Sequence, residues 1–446
     1  MSRIRIKPLH SGIFPLALAM CLAIPQPAQA ADTPAAPPLH AQVADRAEGE
    51  MRTFYAHTNG PLWVSREGRF NPAAQTLLAL VKTAEYDGVD PDDLHLAELT
   101  EAIRLAEAEP SPSALADAEL HLSRTFVAYV AALRQIGETE MFYEHDALRP
   151  YDTGAYFTLD KAAKAPSLAD YVRDMRWMHP LYAPLRRTLL DDGQPAAAKR
   201  LAIRNLERIR QIPPQPTGRH VLVDTASARL WMYEGDRLVD SMRVVVGKPE
   251  NPTPSMSGWI RYAIANPYWN VPKELVRKTI ANNVLSQGVP YLKNRGYQVL
   301  SGWEEDARLL DPTTIDWRAV RRGDVDVRVR QLPGGPNAMG EMKFEFPNPL
   351  GIYLHDTPEK GLLTEEARYF SAGCVRLEDA KRLGKWLMEG ALVADSTPEK
   401  RIDLPEPVPI YITYLTARAE GDRIAAGPDP YGRDGAEALA IAANTR

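Results

Sequence analysis

Val221-Leu222-Val223, Leu230-Trp231-Met232-Tyr233 and Arg243-Val244-Val245-Val246 are short runs rich in β-formers, and Glu234-Gly235-Asp236 follows the second as a hairpin turn. They make the second half of the chain a mostly β domain. Further strands are expected at 259–265, 342–346, 352–355 and 410–415, and one helix from about Glu378 to Met388, with Ala380, Leu383, Gly384 and Leu387 on one face. The stretch 272–328 shows helix-like spacing over 272–284 and little strand pattern, which suits a lid-like insert over the sheet.

Upstream, Pro213-Pro214-Gln215-Pro216 marks a boundary, and the pattern before it is helical. Leu77, Leu78, Leu80 and Val81 share a face until Tyr86-Asp87-Gly88-Val89-Asp90-Pro91 breaks it, with Gly88 suited to a positive φ after a helix. Similar spacing recurs through Leu120, Phe126, Val127, Val130 and Leu133, and again over 201–209. The predicted fold class is α+β and multidomain. A helical scaffold with its connecting helix occupies 49–217, the mostly β domain 218–418, and a C-terminal tail 419–446.

At the N-terminus, Arg3, Arg5 and Lys7 precede the apolar run from Ile13 to Ile24, and Ala28-Gln29-Ala30 follows. This reads as a secretory signal over 1–30 with cleavage after Ala30, and so as a periplasmic protein. Cys21, in Leu18-Ala19-Met20-Cys21, is a poorer fit to a lipidation site because Met20 is large. Residues 31–48 are Ala/Pro-rich and read as a tether of low order. The apolar run is too short to span a bilayer, which takes roughly 20 residues, and no later segment qualifies. Net charge is −5 and becomes more acidic once the signal's three bases are gone. A nucleic-acid partner is not expected, since phosphate binding leaves a basic footprint.

The chain has two cysteines, and after signal removal only Cys374 remains, in Phe370-Ser371-Ala372-Gly373-Cys374-Val375-Arg376. A single thiol in an exported chain cannot pair internally and invites a chemical role. His355, in Tyr353-Leu354-His355-Asp356-Thr357-Pro358, ends a predicted strand. An imidazole, or the N-terminus of a helix beginning just beyond the thiol, would favour the thiolate. Ala372 and Gly373 are small enough for a peptide to approach the backbone, and the N–H groups of Gly373 and Cys374 are candidates for an oxyanion hole, with roughly 3–4 kcal/mol per good donor. The other reading of Cys374 is a buried small hydrophobe. His57, His95, His121, His145, His179 and His220 read as structural or surface groups. No His-Glu-x-x-His run, paired cysteines or phosphate-cradling glycine motif is present, so neither a metal nor a cofactor is expected.

The segment from Tyr353 to Arg376 resembles the active-site signature of the L,D-transpeptidases with the YkuD-type catalytic domain, and the chain is most similar to their large periplasmic members. A histidine opens that signature and a Ser/Thr-x-Gly-Cys-x-Arg run closes it, matched by His355, Ser371, Gly373, Cys374 and Arg376. The likeness extends to Asn266-Pro267-Tyr268-Trp269-Asn270-Val271-Pro272, Arg330-Gln331-Leu332-Pro333-Gly334, Asn337-Ala338-Met339-Gly340, Lys343-Phe344-Glu345-Phe346-Pro347-Asn348 and Asn205-Leu206-Glu207-Arg208. More weakly, Pro61-Leu62-Trp63 is similar to the family's helical scaffold. Ala372 stands where many relatives have a second histidine. Between Leu189 and Asn205 there is no room for the small peptidoglycan-binding module of many large relatives.

The resemblance implies that Cys374 attacks the bond between an L-centre and a D-residue in a tetrapeptide stem, with His355 as base and then acid. Gly373 and Cys374 would hold the oxyanion, and Ser371 would support the loop or a hydrogen bond near the imidazole. Arg376 would organise that loop or meet a substrate carboxylate, and Tyr353, Ala372, Trp269 and Asn337 would meet the substrate. An acceptor amine would resolve the thioester into a cell-wall crosslink without a cofactor. Water would make the enzyme an L,D-carboxypeptidase, and a D-amino acid would give exchange. The implied partners are peptidoglycan stems as donor and acceptor, and cell-wall assembly proteins; the family also implies acylation by carbapenems. A non-catalytic wall-binding scaffold is the alternative from another class, and a papain-like peptidase is disfavoured because there the cysteine typically precedes the histidine.

Overall fold

Helices fill the first half, as the apolar spacing predicts. The computed structural model describes residues 38–435 apart from 66, 215–217, 305 and 391–395. The helices are α1 (Leu39–Arg46), α2 (Gly49–His57), α3 (Pro72–Val81), α4 (Leu96–Ala108), α5 (Pro112–Arg134), α6 (Gly154–Ala163), α7 (Leu168–Arg173), α8 (Tyr182–Leu189) and α9 (Ala196–Arg210). Local chemistry sets their starts: Asn71 and Ser111 cap α3 and α5 with their side-chain oxygens, each followed by a proline at the first helical position. Gly88, at φ +71°, ends the turn that follows α3. Phe54, Trp63, Leu77, Phe126 and Trp177 form the centre of the helical core. Within it, the Asp87 carboxylate accepts from Tyr129 and Tyr182 at 2.6 Å each and from Arg186 at 2.8 Å, so that buried charge is fully partnered.

The expected signal peptide, Cys21 and the start of the expected tether lie outside the described residues. From Leu39 the tether reading is corrected: α1 buries Val43, and Arg46 donates to Asp117 of α5 at 2.8 Å. One buried valine and one cross-helix ion pair anchor a stretch whose composition suggested none.

The strands are β1 (Phe142–Tyr143), β2 (Arg219–Asp224), β3 (Arg229–Glu234), β4 (Arg237–Gly247), β5 (Met256–Ala265), β6 (Trp269–Asn270), β7 (Tyr297–Leu300), β8 (Arg328–Gln331), β9 (Met342–Glu345), β10 (Leu354–His355), β11 (Tyr369–Ser371), β12 (Val375–Leu377), β13 (Lys400–Thr413), β14 (Ala417–Glu420) and β15 (Arg423–Ala426). The order β5-β13-β2-β3-β4-β12-β10-β9 returns to β5, closing a mixed barrel of eight strands. Closure leaves no open edge. Side-chain alternation then sorts residues to two faces. Val221 and Val223 enter the barrel core, whereas Leu222 faces out to join Met141, Leu148 and Ile212 against the helical region.

Between β6 and β8 lie α10 (Lys273–Leu275), α11 (Ala281–Gln287), α12 (Pro290–Asn294) and α13 (Trp317–Arg322). This insert has its own core, including Val276, Ile280, Leu292, Trp317 and Val329, and its own three-stranded sheet, β6-β8-β7. The expectation of little strand structure there is corrected, and the sheet draws in Trp269 and Gln331 outside the expected bounds. Finally, α14 (Ala380–Leu387) places Leu383 and Leu387 on the barrel core. The expected tail from 419 begins instead as the hairpin β14-β15, whose Ala417 and Ile424 pack into the helical core. No described helix is long and apolar enough to cross a membrane.

Candidate active site

On β10 and β12, two rows of side chains diverge. Leu354 pairs with Phe344 of β9 and, in parallel, with Val375 of β12; all three are buried in the barrel. One residue on, His355 pairs with Lys343 on one side and Arg376 on the other. Period-two alternation therefore directs Lys343, His355 and Arg376 to the outer face, while Tyr353 and Cys374 immediately precede β10 and β12, the Tyr353 ring 5.6 Å from that of His355 and its hydroxyl hydrogen-bonded with Cys374. The sheet register thus brings Tyr353, His355, Cys374 and Arg376 together.

The His355 ring is 3% exposed, and its Nδ1 lies 2.5 Å from the Asp356 carbonyl oxygen. A carbonyl only accepts, so Nδ1 carries the proton and Nε2 is left as the basic nitrogen. Burial, and then the Arg376 charge, lower its pKa to about 3, with Lys343 pushing the same way from the other flank. Arg376 itself is held by Glu359 at 2.5 Å.

The half-buried Cys374 has its Sγ 3.8 Å from the Gly351 carbonyl oxygen. Burial raises its pKa, partly opposed by hydrogen bonds from the Tyr353 backbone and side chain. The resting site is consequently a neutral thiol with a neutral imidazole, rather than the ionised sulfur expected from sequence. The expected help from a helix N-terminus is also corrected, because β12 intervenes between Cys374 and α14. At neutral pH the sulfur needs a base as it reacts, and the free nitrogen of His355 is of the right type.

The nucleophile loop is tied from within. Ser371 Oγ donates to the Cys374 carbonyl at 2.6 Å and accepts the Gly373 N–H at 3.1 Å. Ser371 thus supports the loop as expected. Gly373 does not offer a free oxyanion donor, since its N–H is already engaged. Gly373 has φ +123°, a conformation that side-chain-bearing residues rarely adopt. Ala372 is exposed beside it.

Of the expected substrate contacts, Asn337 is sealed within the fold and Trp269 is set in the insert. Trp269 belongs to the sheet of the insert, pairs with Gln331 and packs on the insert core. Asn337 is fully buried: its amide donates to the carbonyls of Pro267 at 2.9 Å and Leu332 at 3.0 Å, and its oxygen accepts the Met339 N–H at 2.7 Å. It locks the return of the insert to the barrel. Sequence reading missed Lys343 as a flank of His355, and Thr253, whose hydroxyl donates to the Gly373 carbonyl at 2.7 Å. Lys343 opens one of the runs that resemble the family, but only sheet pairing sets it beside His355, and only loop closure reveals Thr253. Among the described residues, no group of three or more His, Cys, Asp or Glu is placed to hold a metal ion.

Residues 218–402 match the family described as the L,D-transpeptidase catalytic domain (YkuD), and 49–189 match the family described as the Scaffold domain. A candidate L,D-transpeptidase of Haemophilus influenzae is 31% identical over 238 residues, covering 52% of this chain and 47% of its own length. The chain thus spans about half of that relative. Among solved structures, an L,D-transpeptidase from Mycobacterium smegmatis is 16% identical with a TM-score of 0.22, over 44% of this chain and 59% of that one. Another, an L,D-transpeptidase in complex with imipenem, is 12% identical with a TM-score of 0.21, over 44% and 58%. By the family matches, residues 218–402 belong to the YkuD L,D-transpeptidase catalytic domains and residues 49–189 to the Scaffold domains.

Proposed function

We propose that this protein is a peptidoglycan L,D-transpeptidase of the periplasm, working through a thioester on Cys374. The observation that carries the reading is the parallel pairing of β10, which ends in His355, with β12, which Cys374 immediately precedes, inside a domain that matches the L,D-transpeptidase catalytic family. In the proposed reaction, His355 Nε2 takes the thiol proton as Sγ attacks the carbonyl between the L-centre and the terminal D-residue of a tetrapeptide stem. The Cys374 N–H holds the oxyanion. The C–N bond then breaks, His355 returns the proton to the departing amine, and an amine of a second stem displaces the thioester. Only protein groups take part in the scheme.

Arg376 and Lys343 serve this chemistry by keeping the imidazole unprotonated. Arg376, partly exposed, is also suited to meet a stem carboxylate. The sequence of 1–30 supports export.

Purified protein with disaccharide-tetrapeptide should release the terminal D-residue and form crosslinked dimers, and Cys374→Ala should do neither. An active alanine variant ends the assignment. Release of the D-residue without dimers, even with acceptor in excess, makes the protein an L,D-carboxypeptidase instead.

A further inference from the structure

The described end of the chain reaches under the nucleophile. Tyr431 Oη donates to the Gly247 carbonyl at 2.8 Å and accepts the Thr253 N–H at 3.3 Å. Thr253 Oγ1 in turn accepts the Gly247 N–H at 2.8 Å and donates to the Gly373 carbonyl at 2.7 Å. The β4–β5 loop is closed so tightly that a Cβ at Gly247 would overlap the Asn251 carbonyl oxygen and the Thr253 nitrogen. The Gly373 carbonyl and the Cys374 N–H are the two ends of one planar peptide unit, and in a trans peptide they point opposite ways. Fixing the carbonyl from behind therefore aims the N–H forward.

We propose that Tyr431 is a positioning residue which, through Thr253, holds the Gly373–Cys374 peptide plane so that the Cys374 N–H points at the oxyanion formed when the thiol is acylated. The inference rests on reading Cys374 as an acyl-accepting nucleophile, and it adds a residue from beyond the matched catalytic domain, which ends at 402. Tyr431 is itself firmly held. Its ring stacks on Tyr414 at 5.3 Å with 17° between planes, and the Arg433 guanidinium covers both rings at 4.9 and 5.6 Å. Its N–H donates to the Tyr414 hydroxyl at 3.0 Å. Three residues on, Asp434 takes both arms of Arg208 from α9 at 2.7 and 2.8 Å. A continuous set of contacts thus runs from the last scaffold helix to the nucleophile's peptide plane.

The test compares two reactions of the same sulfur in the full-length protein, each read by mass on the peptide containing Cys374. In acylation by p-nitrophenyl acetate, the sulfur adds to the ester carbonyl, the C–O bond to nitrophenolate breaks, and nitrophenolate departs as the S-acetyl group forms. That path passes through a tetrahedral oxyanion. Alkylation by iodoacetamide displaces iodide and forms none. Tyr431→Phe keeps the stacked ring and removes only the hydroxyl. It should lower the ratio of acylation to alkylation rate about tenfold, the scale of one net hydrogen bond lost behind a donor, with the alkylation rate unchanged although the melting temperature falls by a few degrees. Thr253→Val should lower the ratio further, and Thr253→Ser should restore it.

An unchanged ratio in Tyr431→Phe overturns the proposal. So does an equal fall in both rates, which would mean that the loop is disordered rather than mis-aimed. If the wild type reacts with p-nitrophenyl acetate and the ratio responds as stated, but tetrapeptide is never turned over, the transpeptidase reading fails and the role of Tyr431 stands.

Discussion

Ser371 and Cys374 are joined by a hydrogen bond of 2.6 Å from the serine hydroxyl to the cysteine carbonyl, while the same hydroxyl accepts the Gly373 N–H. One side chain therefore closes the loop on both sides of the sulfur. Ser371→Ala should leave a buried donor and a buried acceptor unpaired, at roughly 1–3 kcal/mol each. Melting temperature should fall by several degrees and acyl transfer at least tenfold. Wild-type turnover in this variant would show that the loop needs no such closure.

The resting site is a neutral thiol and a neutral imidazole, because burial raises one pKa and lowers the other. Iodoacetamide alkylation of Cys374 should consequently titrate with a midpoint above the ordinary thiol value of 9.0. His355→Ala should leave that midpoint in place, since no imidazolium holds the sulfur as thiolate. A wild-type midpoint below neutrality would contradict the assignment.

Three buried histidines make the fold acid-sensitive. His355 is lowered to about 3 and His220 to about 4, both by burial first, and His179 falls well below 6.5 for the same reason. His179 Nε2 and both nitrogens of His220 have no hydrogen-bond partner. As pH falls below 6.5, the unfolded chain takes up protons that the folded chain refuses, so stability is fully present above that pH and declines toward about 3. The urea midpoint should drop steadily from about pH 7 to about pH 4. A flat profile over that range would refute the neutral burial of these rings.

Much of the barrel is legible in sequence because β-formers come in short unbroken runs, as at Val221-Leu222-Val223 and Val244-Val245-Val246, that are buried on both faces. The catalytic strands are less so. β10 has two residues and β12 three, too short for periodicity to speak, and they exist because their neighbours supply the ladder. His355 and Cys374 stand out in sequence by residue type and by resemblance, whereas Lys343 and Thr253 take their places in the site only through register and loop closure. The hairpin β14-β15 escaped because its strands are short and alanine-rich, and its packing partners, α8 and α9, are more than two hundred residues away in sequence.

Asn337 separates structure from binding. With its side chain engaged on both ends by backbone groups, Asn337→Ala should lose about 2–4 kcal/mol of stability through several broken buried hydrogen bonds. The KM for a tetrapeptide donor should stay within about twofold, since the side chain is fully buried. A raised KM with an unchanged melting temperature would return Asn337 to the substrate.

The two cations beside His355 set its working range. Arg376 and Lys343 lie in register on either side of the imidazole, and both lower its pKa after burial has done so. Protonating His355 removes the base, so acylation should lose its acid limb near pH 3 rather than near 6.5. Removing positive charge makes the imidazolium less costly and its pKa higher. Arg376→Gln should therefore move the limb upward, and the double variant with Lys343→Gln should move it further, with the rate well above the limb reduced less than the rate at its foot. Because the p-nitrophenyl acetate reaction needs no stem carboxylate, its pH profile isolates this effect from any part Arg376 plays in binding substrate. A limb that stays in place in both variants would leave burial as the sole cause of the neutral ring.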